Sequence, residues 1–279
     1  MLSQGPYTGS TVVTDATVGN KDWTNPSYAQ TEDGSRAAVY LAPNDVTYYL
    51  KATGFGFSIP TGAVIDHIVV GFKIDASVTD MNQYASVKIV KGGTIQGTEM
   101  KDTSPYYWWT DTPTWVVFPE SGTSLWGLSW TASDINSPDF GVAVAAIGLG
   151  AGGSVAAVDC IRITVYYKTA PTVTTQAATS ITSSGCTGNG NITNTGGVNA
   201  TRRGFCYVAG TSGDPTTANS VAYDDGSFGV GAYTKAITGL SSGAGYRVRA
   251  YAINSIGTSY GATVQVTTLS AIGSNIIIF

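Results

Sequence analysis

The feature that most constrains this fold is the apolar side chain at every second position of several short segments. In DHIVVGFKIDA, residues 66–76, the apolar residues that share one face are Ile68, Val70, Phe72 and Ile74. This period of two is that of a strand with one face in a core. ASVKIVKGG, FGVAVAAIG and DCIRITVYY repeat it, and no window of a dozen residues has a sustained helical period. The sequence therefore predicts an all-β chain.

Two finer expectations come from neighbouring segments. FGVAVAAIG and DCIRITVYY flank the glycine-rich stretch LGAGGSVAA, a pattern typical of the two arms of a hairpin. WTASDINS, residues 130–137, has Ser and Thr next to apolar residues, which predicts one short helical turn with a hydroxyl cap.

The pattern of apolar segments changes near Ala170, which indicates a domain boundary. Lys168 to Pro171 reads as a short polar hinge, because its proline cannot continue a strand ladder. Beyond it, short β-type segments recur at the spacing of about 8 to 12 residues that a sandwich requires. We therefore predict one domain over residues 1–169, a sandwich of about seven strands over residues 170–269, and an apolar tail over residues 270–279.

The second domain contains a recognisable corner. Leu240 lies six residues before Tyr246, and the bend between them is rich in Gly and Ser. This spacing predicts that the Tyr246 ring packs inward while its hydroxyl bonds back to the corner backbone. From PTVTT to VQVTTL the segment resembles a fibronectin type III-like or Ig-like sandwich, although Ser242 stands where such corners commonly have a proline.

The first domain carries a second resemblance. Its four blocks are LKATGFGFSIPTGAVIDHIVVGFKI, VKIVKGG, LWGLSWTASDINSPDFGVAVAA and AAVDCIRITVYY. In content and order they resemble a jelly-roll β-sandwich domain of structural proteins in tailed bacteriophages and prophage regions. The resemblance spans about residues 50–167. It implies a virion component, either a head decoration or fibre protein or a tail accessory, with the jelly roll docked to the particle and the Ig-like domain presented outward.

Composition bounds the partners and the location. Charged residues make up 11% of the chain, and the net charge of −4 gives no broad cationic field, so neither nucleic acid nor an anionic membrane is expected as a partner. MLSQGPYTGS lacks the basic and apolar regions of a secretory signal. We expect synthesis in a host cytoplasm. The phage resemblance implies release by lysis, other virion proteins as partners and a homo-oligomer.

The ionisable residues give little sign of catalysis. His67 is the single histidine, so a histidine-based metal or nucleophile site is not expected, and a structural role is favoured. The glutamates are Glu32, Glu99 and Glu120. Together with scattered aspartates they leave paired-carboxylate hydrolysis as a third and weakest hypothesis. The sequence predicts no enzyme, no cofactor and no bound metal.

The cysteines and two acidic stretches have structural interpretations. Cys160, Cys186 and Cys206 have unrelated spacings, which predicts reduced thiols and no zinc site. DDG at 224–226 and SDINSPD at 133–139 lack the spacing of an EF-hand loop and are interpreted as turns. Arg202 and Arg203 are adjacent, so strand alternation should send them to opposite faces.

The most concentrated aromatic region lies between residues 106 and 130. Trp126 and Trp130 belong to the motif LWGLSW and are expected in the core. The loop 106–115 has two interpretations, core or subunit contact and a platform for sugar rings. On the second interpretation the chain is a carbohydrate-binding adhesin for host surface glycans. Its binding residues would be Tyr106, Tyr107, Trp108, Trp109 and Trp115.

The last residues form the apolar sequence SNIIIF. Its uninterrupted apolar side chains are Ile276, Ile277, Ile278 and Phe279. Two interpretations remain open: a segment that folds back or frays, and a segment that docks on a neighbouring subunit or another virion protein by adding a strand to an open edge.

Overall fold

The computed structural model describes residues 1–79, 81–101, 109–119 and 123–271. Nearly all regular structure in these ranges is β-strand, which confirms the all-β prediction. The chain divides into two compact units, which we call the first unit (Leu2–Tyr167) and the second unit (from Lys168 onward). Within the described residues, no helix combines the length and apolar character needed to cross a bilayer.

Within its described residues, the first unit has ten strands. In chain order they are β1 (Leu2–Thr8), β2 (Thr11–Asp15), β3 (Ala37–Leu41), β4 (Tyr49–Thr53), β5 (Val64–Ala76), β6 (Asn82–Lys91), β7 (Thr94–Gln96), β8 (Thr114–Phe118), β9 (Gly141–Gly148) and β10 (Ser154–Lys168). A 3-10 turn at Pro26–Gln30 and one short helix, α1 (Ala132–Asn136), complete the unit.

These strands form two five-stranded sheets. One has the order β2-β4-β9-β6-β7, and the other contains β10-β5-β8 with β1 and β3 both paired to β10. β1 pairs with residues 162–167 of β10, and β3 pairs with residues 154–158. Without β1 and β2 the orders are β3-β10-β5-β8 and β4-β9-β6-β7. Two four-stranded sheets connected in this way are a jelly roll, so the predicted fold class of this region is confirmed.

The predicted hairpin around LGAGGSVAA is wrong. β9 pairs with β4 and β6, while β10 lies in the other sheet. Because both edges of β9 are occupied, the glycine-rich connection crosses from one sheet to the other. The alternating pattern identifies each strand but contains no information about the sheet to which the strand belongs.

The predicted helical turn is present and explains one acidic stretch. Thr131 caps α1: its side-chain oxygen accepts the Asp134 N–H at 3.1 Å, and the Thr131 N–H donates to the Asp134 carboxylate at 2.8 Å. Asp134 also forms an ion pair with Lys91 at 3.0 Å. This carboxylate serves the reciprocal capping arrangement that starts a short helix.

Up to residue 271, where the described part ends, the second unit has seven strands. They are β11 (Thr172–Thr179), β12 (Gly185–Asn194), β13 (Ala200–Ala209), β14 (Ser220–Phe228), β15 (Gly231–Thr238), β16 (Gly245–Ile253) and β17 (Thr258–Thr267). They form a three-stranded sheet, β11-β12-β15, and a four-stranded sheet, β14-β13-β16-β17. This is the predicted fibronectin type III-like sandwich.

Two glycines of β12 let aromatic rings lie against the strand backbone. A Cβ added at Gly188 would lie 2.8 Å from the Phe205 ring, and one at Gly190 would lie 2.7 Å from the Tyr233 ring. Tyr233 cannot easily move, because its hydroxyl donates to the Tyr251 carbonyl at 3.0 Å inside the core. The sandwich therefore requires glycine at both positions.

Gly190→Ala should lower the free energy of unfolding of the second unit by about 2 kcal/mol, the usual cost of overpacking a core. Gly229→Ala is the matched control, because a Cβ there would meet no atom within 4 Å. The measurement is calorimetry of the full chain, in which the transition of the second unit should shift for Gly190→Ala and stay in place for the control. Equal melting of the two variants would contradict the packing described for Tyr233.

Candidate functional site

The candidate site lies on the outer face of the sheet β2-β4-β9-β6-β7. Along β9, Val142, Val144 and Ala146 point into the main core, while Ala143 and Ala145 point to the opposite face. The small side chains of this central strand leave a depression between the longer side chains of its neighbours. We call this surface the grooved face.

A hydrogen-bonded bridge crosses the grooved face. The Tyr49 hydroxyl on β4 lies 2.7 Å from Ser86 Oγ on β6, and Ser86 Oγ in turn donates to a carboxylate oxygen of Glu99. Since the serine proton is used for Glu99, Tyr49 is the donor to Ser86. Ser86 is in register with Ala145 on β9, so the bridge passes over that residue.

The two ends of the bridge, Tyr49 and Glu99, are held in different ways. Burial raises the pKa of Tyr49, which keeps its hydroxyl protonated and able to donate. The second Glu99 oxygen accepts the Val87 N–H of β6 at 2.5 Å, which fixes the carboxylate against the strand. The bridge is therefore a rigid part of the surface.

Two depressions lie on the grooved face. The apolar groove has a volume of about 480 Å³, and most of its lining is aliphatic: Val18, Val46, Ala85, Ala145, Ile147 and Leu149, with Gln83, Tyr84, Ser86 and Lys101 completing it. The polar groove has a volume of about 440 Å³ and is lined mainly by Asp15, Thr17, Tyr49, Lys88, Thr94 and Ile95. Both volumes fall in the range of about 300–1,000 Å³ common to ligand sites.

The segment after β2 forms the wall between the two grooves, and Val18 lines both. Its turn is set by Asp15, which accepts the Thr17 hydroxyl at 2.8 Å and pairs with Lys51 at 3.3 Å. The Thr17 hydrogen bond, followed by Lys51, lowers the pKa of Asp15, so the turn keeps its charge into the acidic range. The grooved face therefore has an apolar depression and a polar depression side by side.

Of the aromatic residues predicted to bind glycans, the two that the structure describes, Trp109 and Trp115, lie in different places. Trp109 has no solvent exposure and packs on Tyr84 with ring centroids 5.5 Å apart in the first core, so its assignment to a sugar platform is wrong. Trp115 is half-buried on the outer face of the other sheet. Tyr106, Tyr107 and Trp108 lie outside the described residues.

Trp115 lies in a group of charged side chains. The Arg162 guanidinium covers its ring at 3.5 Å from the centroid. Lys73 lies opposite Trp115 in the strand register and contacts Glu32 at 2.8 Å and Asp159 at 3.2 Å. Hydrogen bonding to Glu32, followed by Asp159, raises the pKa of Lys73. The ring face toward Arg162 is therefore already occupied.

His67 and the three cysteines are packed against, or hydrogen-bonded to, neighbouring side chains or buried in the protein. His67 stacks on Tyr166 with ring centroids 4.1 Å apart and lies 2.8 Å from an Asp66 carboxylate oxygen. The three cysteines are free and buried, and burial raises the pKa of the Cys160 and Cys206 thiols to about 11. Thiols with so high a pKa are poor nucleophiles at neutral pH.

Several acidic residues in the described ranges form ion pairs or cap a helix. Asp225 binds Arg202 in a two-pronged contact, and Asp224 pairs with Lys235. Arg203 lies on the other face of β13, with its guanidinium over the rings of Phe228 and Tyr233. Across the described part of the chain, no group of three His, Cys, Asp or Glu residues has a metal-binding arrangement.

The corner at the start of β16 has the geometry of a tyrosine corner. The Tyr246 hydroxyl accepts the Ser241 N–H at 2.8 Å, and the ring is buried beside Leu240 in the second core. This hydrogen bond lowers the pKa of Tyr246, because it stabilises the phenolate more than the phenol. The tail residues 276–279 lie outside the described residues.

Tyr246→Phe should lower the free energy of unfolding of the second unit by about 1 kcal/mol, the net value of one buried hydrogen bond. Tyr223→Phe is the control, because Tyr223 is an exposed tyrosine of the same unit. Calorimetry should show a lower transition for Tyr246→Phe than for the control. Indistinguishable transitions would mean that the corner hydrogen bond contributes nothing to stability.

Sequence reasoning missed the grooved face. One signal was present, since FGVAVAAIG places alanine at successive outward positions of a central strand. The bridge could not be anticipated, because Tyr49, Ser86 and Glu99 come from separate segments that only the sheet order brings together.

Comparisons with known proteins concern the fold. No family model matches the chain, and no curated protein matches it. The sensor domain of the anti-sigma factor RsgI4 of Pseudobacteroides cellulosolvens is similar at 13% identity over 36% of this chain and 96% of that domain, with a TM-score of 0.29. The FN1–FN3 domains of chicken CNTN1 align at 16% identity over 82% of this chain and 68% of theirs, with a TM-score of 0.29.

A β-1,2-glucanase of Parabacteroides distasonis is also similar, at 14% identity and a TM-score of 0.27. The alignment covers 97% of this chain and 37% of the glucanase. TM-scores of 0.27 to 0.29 support no conclusion about activity.

Proposed function

We propose that this chain is a non-enzymatic structural protein of a tailed-bacteriophage virion, either a head decoration or fibre protein or a tail accessory. The observation that carries the proposal is the jelly-roll strand order in the region whose sequence blocks resemble the phage domain. Jelly rolls occur in viral capsid and lectin domains, so the support is an analogy of fold joined to a resemblance of sequence.

On this proposal the two units have separate tasks. The jelly roll attaches to other virion proteins through preformed surfaces such as the grooved face, and the fibronectin type III-like unit is displayed on the particle. Attachment needs complementary shape and apolar contact, which the apolar groove offers. The protein is made in the host cytoplasm and reaches the outside by lysis.

Immunogold labelling of purified particles tests the proposal, with an antibody raised against the second unit. We expect label in regular copies at one location, and mass spectrometry of the same particles should recover peptides from both units. Detection on bacterial cells together with absence from purified particles would reject the virion assignment.

A carbohydrate-binding adhesin is the second candidate, and Trp115 is the observation that favours it. A half-buried tryptophan beside Glu32, Lys73 and Arg162 combines an apolar ring with hydrogen-bonding groups, as sugar sites do. A glycan array should then give binding that Trp115→Ala abolishes and Tyr28→Ala, at an exposed aromatic residue of the same unit, retains. A blank array across host polysaccharides would remove this candidate.

A further inference from the structure

We propose that the apolar groove is the docking site for residues 275–279 of a second copy of this chain. The inference rests on the proposed function, in which copies assemble on a particle, and it names the surface that receives the tail. In this proposal the tail does not add a strand to an open sheet edge. Its side chains instead insert into the outer face of a sheet.

The groove has the form that an extended apolar segment requires. Its floor is Ala145 and Ile147 on the central strand β9, so the surface is low at the middle of the sheet. Val18 and Val46 form one side, and Ala85 lies on the other. Leu149, which also lines the groove, is 40% exposed and extends this apolar surface toward solvent.

The rigid bridge defines the end of this groove. Ser86, which lines the groove, is held by its hydrogen bonds to Tyr49 on one side and to Glu99 on the other. A preformed apolar cavity avoids the ordering cost that weakens binding to flexible surfaces.

The chain itself contains a segment of matching chemistry. Residues 276–279 are three isoleucines and a phenylalanine, and three consecutive isoleucines occur nowhere else in the sequence. In an extended segment, Ile276 and Ile278 share one side. Two branched aliphatic side chains on one side match the valine, alanine, isoleucine and leucine side chains of a groove that is also lined by Gln83, Tyr84, Ser86 and Lys101.

A tail that docks on a second copy makes a directional contact, because donor and acceptor surfaces differ. Each copy then offers one tail and one groove. Such contacts generate closed rings or open chains, according to the rotation between neighbours. Repetition of this kind suits a protein present in regular copies.

Complementation between two variants of the full chain tests the inference. The first variant lacks residues 275–279 and keeps the groove, and the second carries Leu149→Asp and keeps the tail. Sedimentation velocity should show self-association of the unmodified chain, at least about tenfold weaker self-association for each variant alone, and association when the two are mixed. Val64→Asp, at another exposed aliphatic residue of the first unit, should associate like the unmodified chain.

Each remaining outcome overturns the inference in a distinguishable way. If the deletion prevents association while Leu149→Asp does not, the tail assembles copies through another surface, and the proposed assembly role stands without this acceptor. If the unmodified chain is a monomer and the deletion alters NMR signals of Ile147 and Leu149, the tail occupies its own groove. If mixing restores nothing although both variants melt like the unmodified chain, tail and groove do not meet.

Discussion

Trp109→Ala should lower the free energy of unfolding of the first unit by about 4 kcal/mol, within the range of about 3–5 kcal/mol for deleting a large aromatic from a core. Trp109 is fully buried against Tyr84, and its indole N–H has no acceptor among the described residues. The expected loss comes from the apolar packing that is removed and from the cavity left behind.

All six tryptophans of the chain lie between residues 23 and 130, in the first unit. Tryptophan fluorescence during urea unfolding thus reports on the first unit. Trp115→Ala is the matched control, since that ring is half-buried on an outer face, and about 1 kcal/mol is expected there. Near-equal losses at the two positions would contradict the burial of Trp109.

Arg36→Met should cost the first unit about 2 kcal/mol at pH 7. Arg36 forms a close ion pair with Asp75, whose side chain is 8% exposed and whose other carboxylate oxygen has no partner among the described residues. Removing the cation leaves a buried carboxylate uncompensated, which costs about 3–5 kcal/mol in a fully buried pair. The smaller value reflects the 38% exposure of Arg36, which admits solvent screening.

The loss should depend on pH with a defined sign. Burial raises the pKa of Asp75 above its ordinary value, and the loss of Arg36 raises it further. A carboxyl with a raised pKa in the folded state contributes stability below its unfolded pKa, and this stability is lost as pH rises through the folded pKa. The deficit of Arg36→Met should therefore be largest near pH 7–8 and shrink toward pH 4.

Two further variants complete this test. Adding Asp75→Asn to Arg36→Met should recover most of the lost stability, because no buried charge remains. Arg202→Met removes an equally exposed arginine from an exposed pair with Asp225 and should cost less than about 1 kcal/mol. A deficit that does not change between pH 4 and pH 8 would show that Asp75 is not the group left unpaired.

The sequence predicted the elements of this fold better than their arrangement. Alternation identified the strand around Ile68 and Phe72, and the spacing of Leu240 and Tyr246 identified the corner, because both are local patterns. The crossing after β9 was not predictable from those patterns. It depends on which strands occupy the edges of β9 and β10, and that is decided by contacts between distant segments.

The sequence also did not predict which aromatic residues are buried and which lie on the surface. Trp109 and Trp115 are six positions apart in one tryptophan-rich segment, yet one lies in the core and the other on an outer face. Composition does not distinguish a platform from a core, since aromatic rings serve both. The grooved face was missed because it consists of ordinary alanines and valines, whose significance arises from the depression that they line.

The position of β10 in the sheet also bears on how the chain folds as it is made. β10 pairs with β1, β3 and β5, and Leu2 is in register with Tyr167. A ribosome adds roughly 5 to 20 residues per second. Because the two partners are about 165 residues apart in the chain, Tyr167 is synthesised roughly 8 to 33 s after Leu2. The sheet that contains β1, β3 and β5 is therefore incomplete until β10 has been synthesised. It can close only after Tyr167 has left the exit tunnel, when translation has already entered the second unit.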